Sequence, residues 1–234
     1  MSIELPLGAQ LDWTSVAPPT REPLRGSRVL VRPVDANTDA EPLYAISHSP
    51  DGEPSTWTYL PDGPYERPAE LRRMLAWAET AEGALYFTLV RVVDDRPLGM
   101  ASYQRITPEF GVIEVGHIWF GEQLRRTAAG TEAIYLLAAH VFDDLGYRRL
   151  EWKCNALNTA SRRAAERFGF SFEGVFRNHQ VVKGRNRDTA WYAITDHDWP
   201  AIRTGFLSWL APENFDENGL QRRPLAELIA QARR

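Results

Sequence analysis

Apolar and charged residues alternate in RVLVRPV, from Arg28 to Val34, with the two-residue period of a strand. A loop-helix region follows, with the Pro- and Gly-rich WTYLPDGPYERP, and then the spacing of Leu71, Met74, Leu75 and Ala78 predicts a helix over 69–81. Leu85–Val93 and Leu98–Ile106 read as strands joined at DDRP, a hairpin. IEVGHIWF, from Ile113 to Phe120, is apolar on both faces, as a central strand is. The strongest helix runs from Thr131 to Leu145, with Ile134, Leu137, Val141 and Leu145 on one face and Gly146 past its end. Arg149–Cys154 is another strand. Asn158 is a natural N-cap for the short helix TASRRAAERF, which stops at Gly169. GFSFEGVFRN, VVKG and DTAWYAIT predict a closing hairpin, and WPAIRTGFLSWL, from Trp199, an amphipathic helix.

This order defines a mixed α/β class. A chain of 234 residues fits one compact core with extensions. We expect an N-terminal arm over 1–27, rich in proline, a core domain over 28–199, and a C-terminal helical extension over 200–234 whose last residues, from about Pro212, form a loosely attached tail. There is no internal repeat.

Composition narrows the classes further. With 44% hydrophobic and 25% charged residues, a disordered, collagen-like or coiled-coil chain is disfavoured. No apolar run approaches the roughly 20 residues a membrane helix needs, and the start lacks a basic segment followed by an apolar one, so a soluble, unsecreted protein is expected. The single cysteine, Cys154, has no disulfide or thiolate-metal partner in the chain, which fits a cytoplasmic setting and no metal. Net charge is −4, against a dedicated nucleic-acid coat. Yet residues 121–188 carry 12 Lys or Arg against 8 Asp or Glu, so an anionic ligand near the middle competes with solvated helix faces as the explanation. An RNA- or ribosome-associated role rests on the same segment alone.

Candidate chemistry centres on a strand, a basic turn and a helix: IEVGHIWF, GEQLRRTAAG, TEAIYLLAAHVF. A helix N-terminus behind a turn of small residues offers free backbone N–H groups and the positive end of the dipole, a cradle for pyrophosphate. Arg125 and Arg126 add cationic donors.

A second unit follows, the strand RLEWKC and then NTASRRAAERFGF, in which an NxxS pattern is followed eight residues later by GF. Together with LRRTAAGTEA and the hairpin FEGVFRNHQVVKGRNRDTAWYAI, in that order, it resembles the GCN5-related N-acetyltransferase (GNAT) superfamily, particularly its RimJ/RimL-like branch, from about Arg28 to Trp199. The resemblance implies a central, twisted, mostly antiparallel sheet, splayed between its fourth and fifth strands and flanked by helices. It also implies acetyl-CoA as co-substrate, lodged in the splay, and acyl transfer to a primary amine, either a small molecule or a protein N-terminal α-amine. By the same resemblance Ile118, Trp119 and Phe120 line the splay, Arg125, Arg126, Thr127, Ala128, Ala129, Gly130 and Thr131 contact the pyrophosphate, and Asn158 contacts the cofactor through its amide. Glu114 matches a position where some members carry a catalytic Glu, and four residues of strand, about 13 Å, would call for a water relay. Its other reading is an ion-paired strand carboxylate. Ser161 resembles a hydroxyl that protonates the leaving thiolate, against a first-turn serine that bonds backbone N–H.

Two positions depart from the pattern. Ala128 stands where the loop's first Gly is expected, and Ala165 where many members carry a Tyr as general acid. The second departure motivates an alternative, a catalytically silent acyl-CoA-binding module. His117 is an alternative base, but period 2 places it opposite Glu114, which favours a packed histidine. For the acceptor, Trp57, Tyr59 and Tyr65 are candidate walls, although aromatics beside Pro and Gly also pin loops to a core. Lys183, Arg185 and Arg187 could draw an acidic acceptor or a phosphate, solvated hairpin charge partly paired with Asp188 being the plainer account. The family includes monomers and dimers, so a homodimer stays open.

Overall fold

The structure, a computed structural model, describes residues 5–48 and 54–234. Among them, eight strands form one sheet in the order β1-β2-β3-β4-β5-β6-β8-β7. The strands are β1 Leu24–Arg25, β2 Val29–Pro33, β3 Leu85–Arg91, β4 Arg96–Thr107, β5 Val112–Phe120, β6 Arg149–Asn155, β7 Ser171–Val182 and β8 Arg185–Thr195. Every pairing is antiparallel except that of β5 with β6. Those two run parallel and are in register only from Val112↔Arg149 to Val115↔Trp152. Beyond Val115 they diverge, and this is the splay between the fourth and fifth strands expected from the sequence, the short β1 having added one to the count.

Helices cover both faces. α1 (Ala36–Ser47) and α2 (Pro68–Thr80) pack with Trp57, Tyr86, Met100 and Trp119 into one apolar cluster. On the other face α3 (Ala128–Ala139), α4 (Thr159–Arg167), α5 (Trp199–Leu210) and α6 (Leu225–Ala232) close a larger one around Phe87, Tyr103, Ile113 and Tyr192. α1 starts at Asp35, whose carboxylate accepts the N–H groups of Asn37 and Thr38. Its buried Asp39 accepts from Arg32, from the Thr88 hydroxyl at 2.6 Å and from the Asp35 N–H at 2.9 Å, so a charge inside the fold is fully bonded.

α3 begins three residues earlier than its apolar spacing predicts, because Thr127 caps it: the Thr127 hydroxyl accepts the Gly130 N–H at 3.1 Å. Its last turn, His140–Asp144, widens to a π-turn in which the Leu145 N–H reaches His140 O. Asp143 there accepts from Trp199 Nε1 at 2.7 Å and Arg203 Nε at 2.9 Å and so ties α3 to α5. The predicted closing hairpin forms, turning at Lys183 and Gly184, both at positive φ, as a two-residue hairpin loop requires.

The N-terminal arm is anchored at its base, and the C-terminal end differs from expectation. Glu132, buried on α3, accepts the backbone N–H groups of Ser27, Arg28 and Val29 and the Ser27 hydroxyl, which fixes the entry into β2. Trp13 donates from Nε1 to Glu109 O at 2.9 Å. The tail is not loose: Leu225, Leu228 and Ile229 of α6 are buried against α5, since the amphipathic LAELIAQA has an apolar stripe that only packing can cover. Among the described residues no helix is long and apolar enough to cross a membrane.

Candidate active site

A cavity of about 540 Å³ opens where β5 and β6 part. Because the strands separate there, both faces of the sheet contribute to its lining. Trp152, Cys154, Asn158 and Ser161 come from the face covered by α4, and Glu114, His117, Lys153, His179 and Arg187 from the other. Ile118 lies between them, on strand edge that has lost its β6 partner, so its backbone is open to a ligand.

Ser161 and Asn158 form one unit. Asn158 caps α4 as predicted, Oδ1 accepting the Ser161 N–H at 3.0 Å. The Ser161 hydroxyl accepts from Trp152 Nε1 at 3.0 Å, which fixes the oxygen and turns its proton toward the Cys154 sulfur or a ligand in the cavity. It does not bond a backbone N–H as a first-turn serine would. The neighbouring Cys154 thiol is raised above its ordinary pKa by burial, and a hydrogen bond with Ser161 opposes this only in part. It is held as the neutral thiol. Ala165 is wholly buried among core side chains, so the missing tyrosine leaves no gap in the cavity wall.

Glu114 is buried, and its Oε2 is ion-paired with two cations, Arg105 Nε at 2.8 Å and Lys153 Nζ at 3.1 Å, without a well-aligned hydrogen bond to either. Lys153 also reaches Glu151 at 2.6 Å and lies 3.8 Å from the centre of the Trp191 ring. The ion-paired strand carboxylate is therefore present, in the cavity wall. His117 corrects the simple alternation. Between the pairs Ser102↔Gly116 and Met100↔Trp119, β5 holds one residue more than β4, and His117 takes φ 47° at this bulge. The extra residue turns His117 onto the face of Glu114. Its Nε2 is buried 3.8 Å from Asp62 Oδ1, without a hydrogen bond. Burial lowers its pKa below the ordinary 6.5, against a smaller rise from Asp62.

The turn Arg125–Thr131 adjoins the cavity but is not part of its lining. Arg125 donates to Phe120 O and to the Thr56 hydroxyl, both at 2.8 Å, so it ties the turn to the segment before α2. Arg126 is exposed, at φ 59°. Ala128 and Ala129 start α3, where helix geometry leaves their N–H groups without intrahelical acceptors. Thr131 is buried instead of facing a ligand: its hydroxyl donates to Thr127 O and accepts from Arg167. Packing alone already requires Gly130, since a Cβ there would lie 2.5 Å from Leu124 O.

Of the aromatic candidates, Tyr59 lines the cavity. Trp57 and Tyr65 do not. Trp57 is fully buried, donating to Ser47 O at 3.1 Å and packing on Tyr65 and Trp119, and Tyr65 donates its hydroxyl to Asp62. Both pin the loop to the core. The side chain of Trp119 is likewise in the core. Sequence reasoning missed Arg105, Lys153, His179 and Thr189 in the wall; the alternation of Lys153 with Trp152 and Cys154 along RLEWKC was their only signal. Among the described residues no cluster of three or more His, Cys, Asp or Glu could hold a metal ion.

A strand pair that parts over a cavity, followed by a small-residue helix start, is the arrangement that the resemblance in the sequence implied. Residues 28–171 match the family described as the acetyltransferase (GNAT) domain. The chain belongs to the GNAT acetyltransferase family. It is 42% identical to a solved GCN5-related N-acetyltransferase from Brucella melitensis, with a TM-score of 0.90 over 94% of this chain and 99% of that one. It is 26% identical to the probable N-acetyltransferase YjcK of Bacillus subtilis, over 75% of this chain and 98% of that protein. The microcin C7 self-immunity acetyltransferase MccE, solved with acetyl-CoA and AMP, shares the fold at 19% identity, with a TM-score of 0.61 over 73% of this chain and 93% of that one.

Proposed function

We propose that this chain is an N-acetyltransferase of the RimJ/RimL-like branch that passes an acetyl group from acetyl-CoA directly to a primary amine, of a small molecule or a protein N-terminus, within a ternary complex. The observation that carries this reading is the cavity through the splay, with a hydroxyl on one face of the sheet and proton acceptors on the other. Its support among relatives includes the ribosomal-protein-serine acetyltransferase of Escherichia coli, 28% identical over 100 residues, 43% of this chain and 55% of that protein.

Acetyl-CoA supplies an acetyl group activated as a thioester. The residues present fit it: the N–H groups of Ala128 and Ala129, with Arg126, suit a pyrophosphate, and the unpaired edge of β5 from Ile118 to Phe120 suits the amide chain and the carbonyl oxygen. Asn158 holds the first turn of α4 so that Ser161 faces the sulfur side, where its hydroxyl proton is available to the leaving thiolate. The amine's proton passes to the opposite wall. Glu114 takes it through water in the first reading; a second is favoured by His117, whose Nε2 meets no cation, whereas Oε2 of Glu114 is ion-paired to two. Cys154, held as a neutral thiol, is no nucleophile, which supports direct transfer over an acetyl-enzyme.

Titration calorimetry with acetyl-CoA, followed by CoA release in the presence of amines, tests the reading. Tight acetyl-CoA binding and amine-dependent release are expected, with Ser161→Ala and Glu114→Gln slowing release while acetyl-CoA still binds. Binding without release for any amine would leave the silent acyl-CoA-binding module in its place.

A further inference from the structure

We propose that the acceptor is a small amine that also carries a carboxylate or phosphate, and that Arg187, backed by Lys153 and Arg105, is the subsite for that anion. This rests on the acetyl-transfer reading, because it assigns the acceptor half of the same cavity.

The charges of this wall do not cancel. Arg105, Lys153 and Arg187 face Glu114 and Glu151. Glu114 is shared by Arg105 and Lys153, and Glu151 by Lys153 and Arg149, at distances of 2.6–3.1 Å. Arg187 is left over. Its Nε is buried without a hydrogen-bond partner, and no ion pair among the described residues includes it. Burial pushes its pKa below the ordinary guanidinium value; Glu114, across the cavity and already ion-paired to two other cations, opposes this in smaller part, and Arg105 adds slightly to the fall, yet an arginine stays charged at neutral pH.

The hairpin does not supply the missing anion. Asp188, one residue on, accepts from the Asn178 N–H at 2.7 Å and from Asn186 Nδ2 at 3.0 Å. Lys183 is spent elsewhere, donating to Trp57 O at 2.7 Å, and Arg185 is exposed. Arg187 is thus a half-buried hairpin charge whose Nε has no partner in the fold. Alternation along β8 puts Arg187, Thr189 and Trp191 on one face, beside Asn155 and Lys153 of β6 through the pairs Asn155↔Thr189 and Lys153↔Trp191. A buried donor with no partner is costly, and a carboxylate or phosphate is the acceptor that matches a guanidinium fork. Arg187 and Glu114 line the same cavity, so a small acceptor can present its anion to one and its amine toward the other.

The test uses the full chain with CoA bound and four probes: O-phosphoethanolamine and β-alanine, and their neutral counterparts ethanolamine and β-alaninamide. Binding is read by tryptophan fluorescence, Trp191 lying under Lys153, and acetyl transfer by CoA release from acetyl-CoA. At least one anionic probe is expected to bind about tenfold or more tighter than its neutral partner. Arg187→Gln should abolish that preference and Arg187→Lys should retain part of it, both with unchanged affinity for acetyl-CoA. Equal binding of each pair, no binding of any probe, or a preference that survives Arg187→Gln overturns the subsite. Should Arg187→Gln fail to fold, Arg187→Lys together with Arg105→Gln decides: the preference must fall in both. An anionic preference without CoA release would leave the subsite standing and overturn acetyl transfer; release that is equal for all four would do the reverse.

Discussion

Nε2 of His117 and Oδ1 of Asp62 face each other across 3.8 Å, both buried and neither hydrogen-bonded among the described residues. The pair is held rather than free to move, since Tyr65 donates its hydroxyl to Asp62 and the Tyr86 ring meets the imidazole edge-on. If His117 takes the amine's proton, kcat/KM falls as pH drops through its pKa, which burial sets below 6.5. Asp62→Asn removes the charge that favours the imidazolium and should move this acidic limb to lower pH. His117→Asn should erase the limb and slow transfer about a hundredfold, whereas Glu114→Gln should leave the limb in place. A limb unmoved in both His117→Asn and Asp62→Asn would return the base to Glu114.

Gly130 tests packing against ligand approach. A Cβ at this position would lie 2.5 Å from Leu124 O and 3.3 Å from the Phe120 ring, before any cofactor is present. Gly130→Ala should therefore lower the stability of the protein without acetyl-CoA by about 1–3 kcal/mol, as overpacking does, besides weakening acetyl-CoA binding. Denaturant unfolding without ligand separates the two: unchanged stability with weakened binding would restore the phosphate explanation.

The order of strands and the two strand–turn–helix units that follow β5 and β6 were legible because each rests on local chemistry, namely alternation, the Asn158 cap and the terminating Gly169. α1 was not resolved, since its buried positions include a charged Asp39 and its interior a Pro42, which break an apolar stripe. The face of His117 could not be read, because a one-residue bulge against β4 reverses the alternation and depends on the partner strand. Trp57, Tyr65 and Arg187 were each left with two readings for a related reason: burial is decided by elements distant in sequence, so an aromatic beside proline and an arginine in a hairpin look alike whether they face water, core or cavity.

His48 makes stability depend on pH. Its Nε2 accepts the Tyr65 N–H at 2.9 Å, so the ring is neutral at that atom, and Ser47 Oγ, which donates to Leu43 O, lies 2.9 Å from Nδ1. Burial lowers the folded pKa below 6.5, as it does for His117. The unfolded chain then binds more protons between the folded pKa and about 6.5, so stability rises with pH through that window and is lost as pH falls through it. The slope is at most about 1.4 kcal/mol per pH unit for each histidine. Unfolding free energies measured between about pH 5 and 7 should show this fall, and His48→Gln should flatten it; an unchanged slope would mean that His48 protonates without breaking its contacts.

α6 is linked to the start of α3 through α5 and Arg167 without lining the cavity. Ile229 packs on Gly205 of α5 so closely that a Cβ on Gly205 would meet Ile229 Cγ1 at 2.5 Å and its backbone N and Cα at 2.9 Å. On α5, Trp209 donates to Gln221 Oε1 at 2.7 Å, and its ring lies 5.1 Å from the guanidinium of Arg167. Arg167 donates in turn to the Thr131 hydroxyl at 3.2 Å, in the first turn of α3. Undocking α6 therefore loosens the cation that braces the helix start expected to hold the pyrophosphate. Ending the chain at Arg223 should lower Tm by exposing Phe206 and Trp209 and should also weaken acetyl-CoA binding, and Gly205→Ala should do both to a smaller degree. Arg167→Gln should reproduce the binding loss with α6 still docked. Truncated protein that unfolds earlier yet binds acetyl-CoA with full affinity would show that Arg167 holds Thr131 without help from the tail.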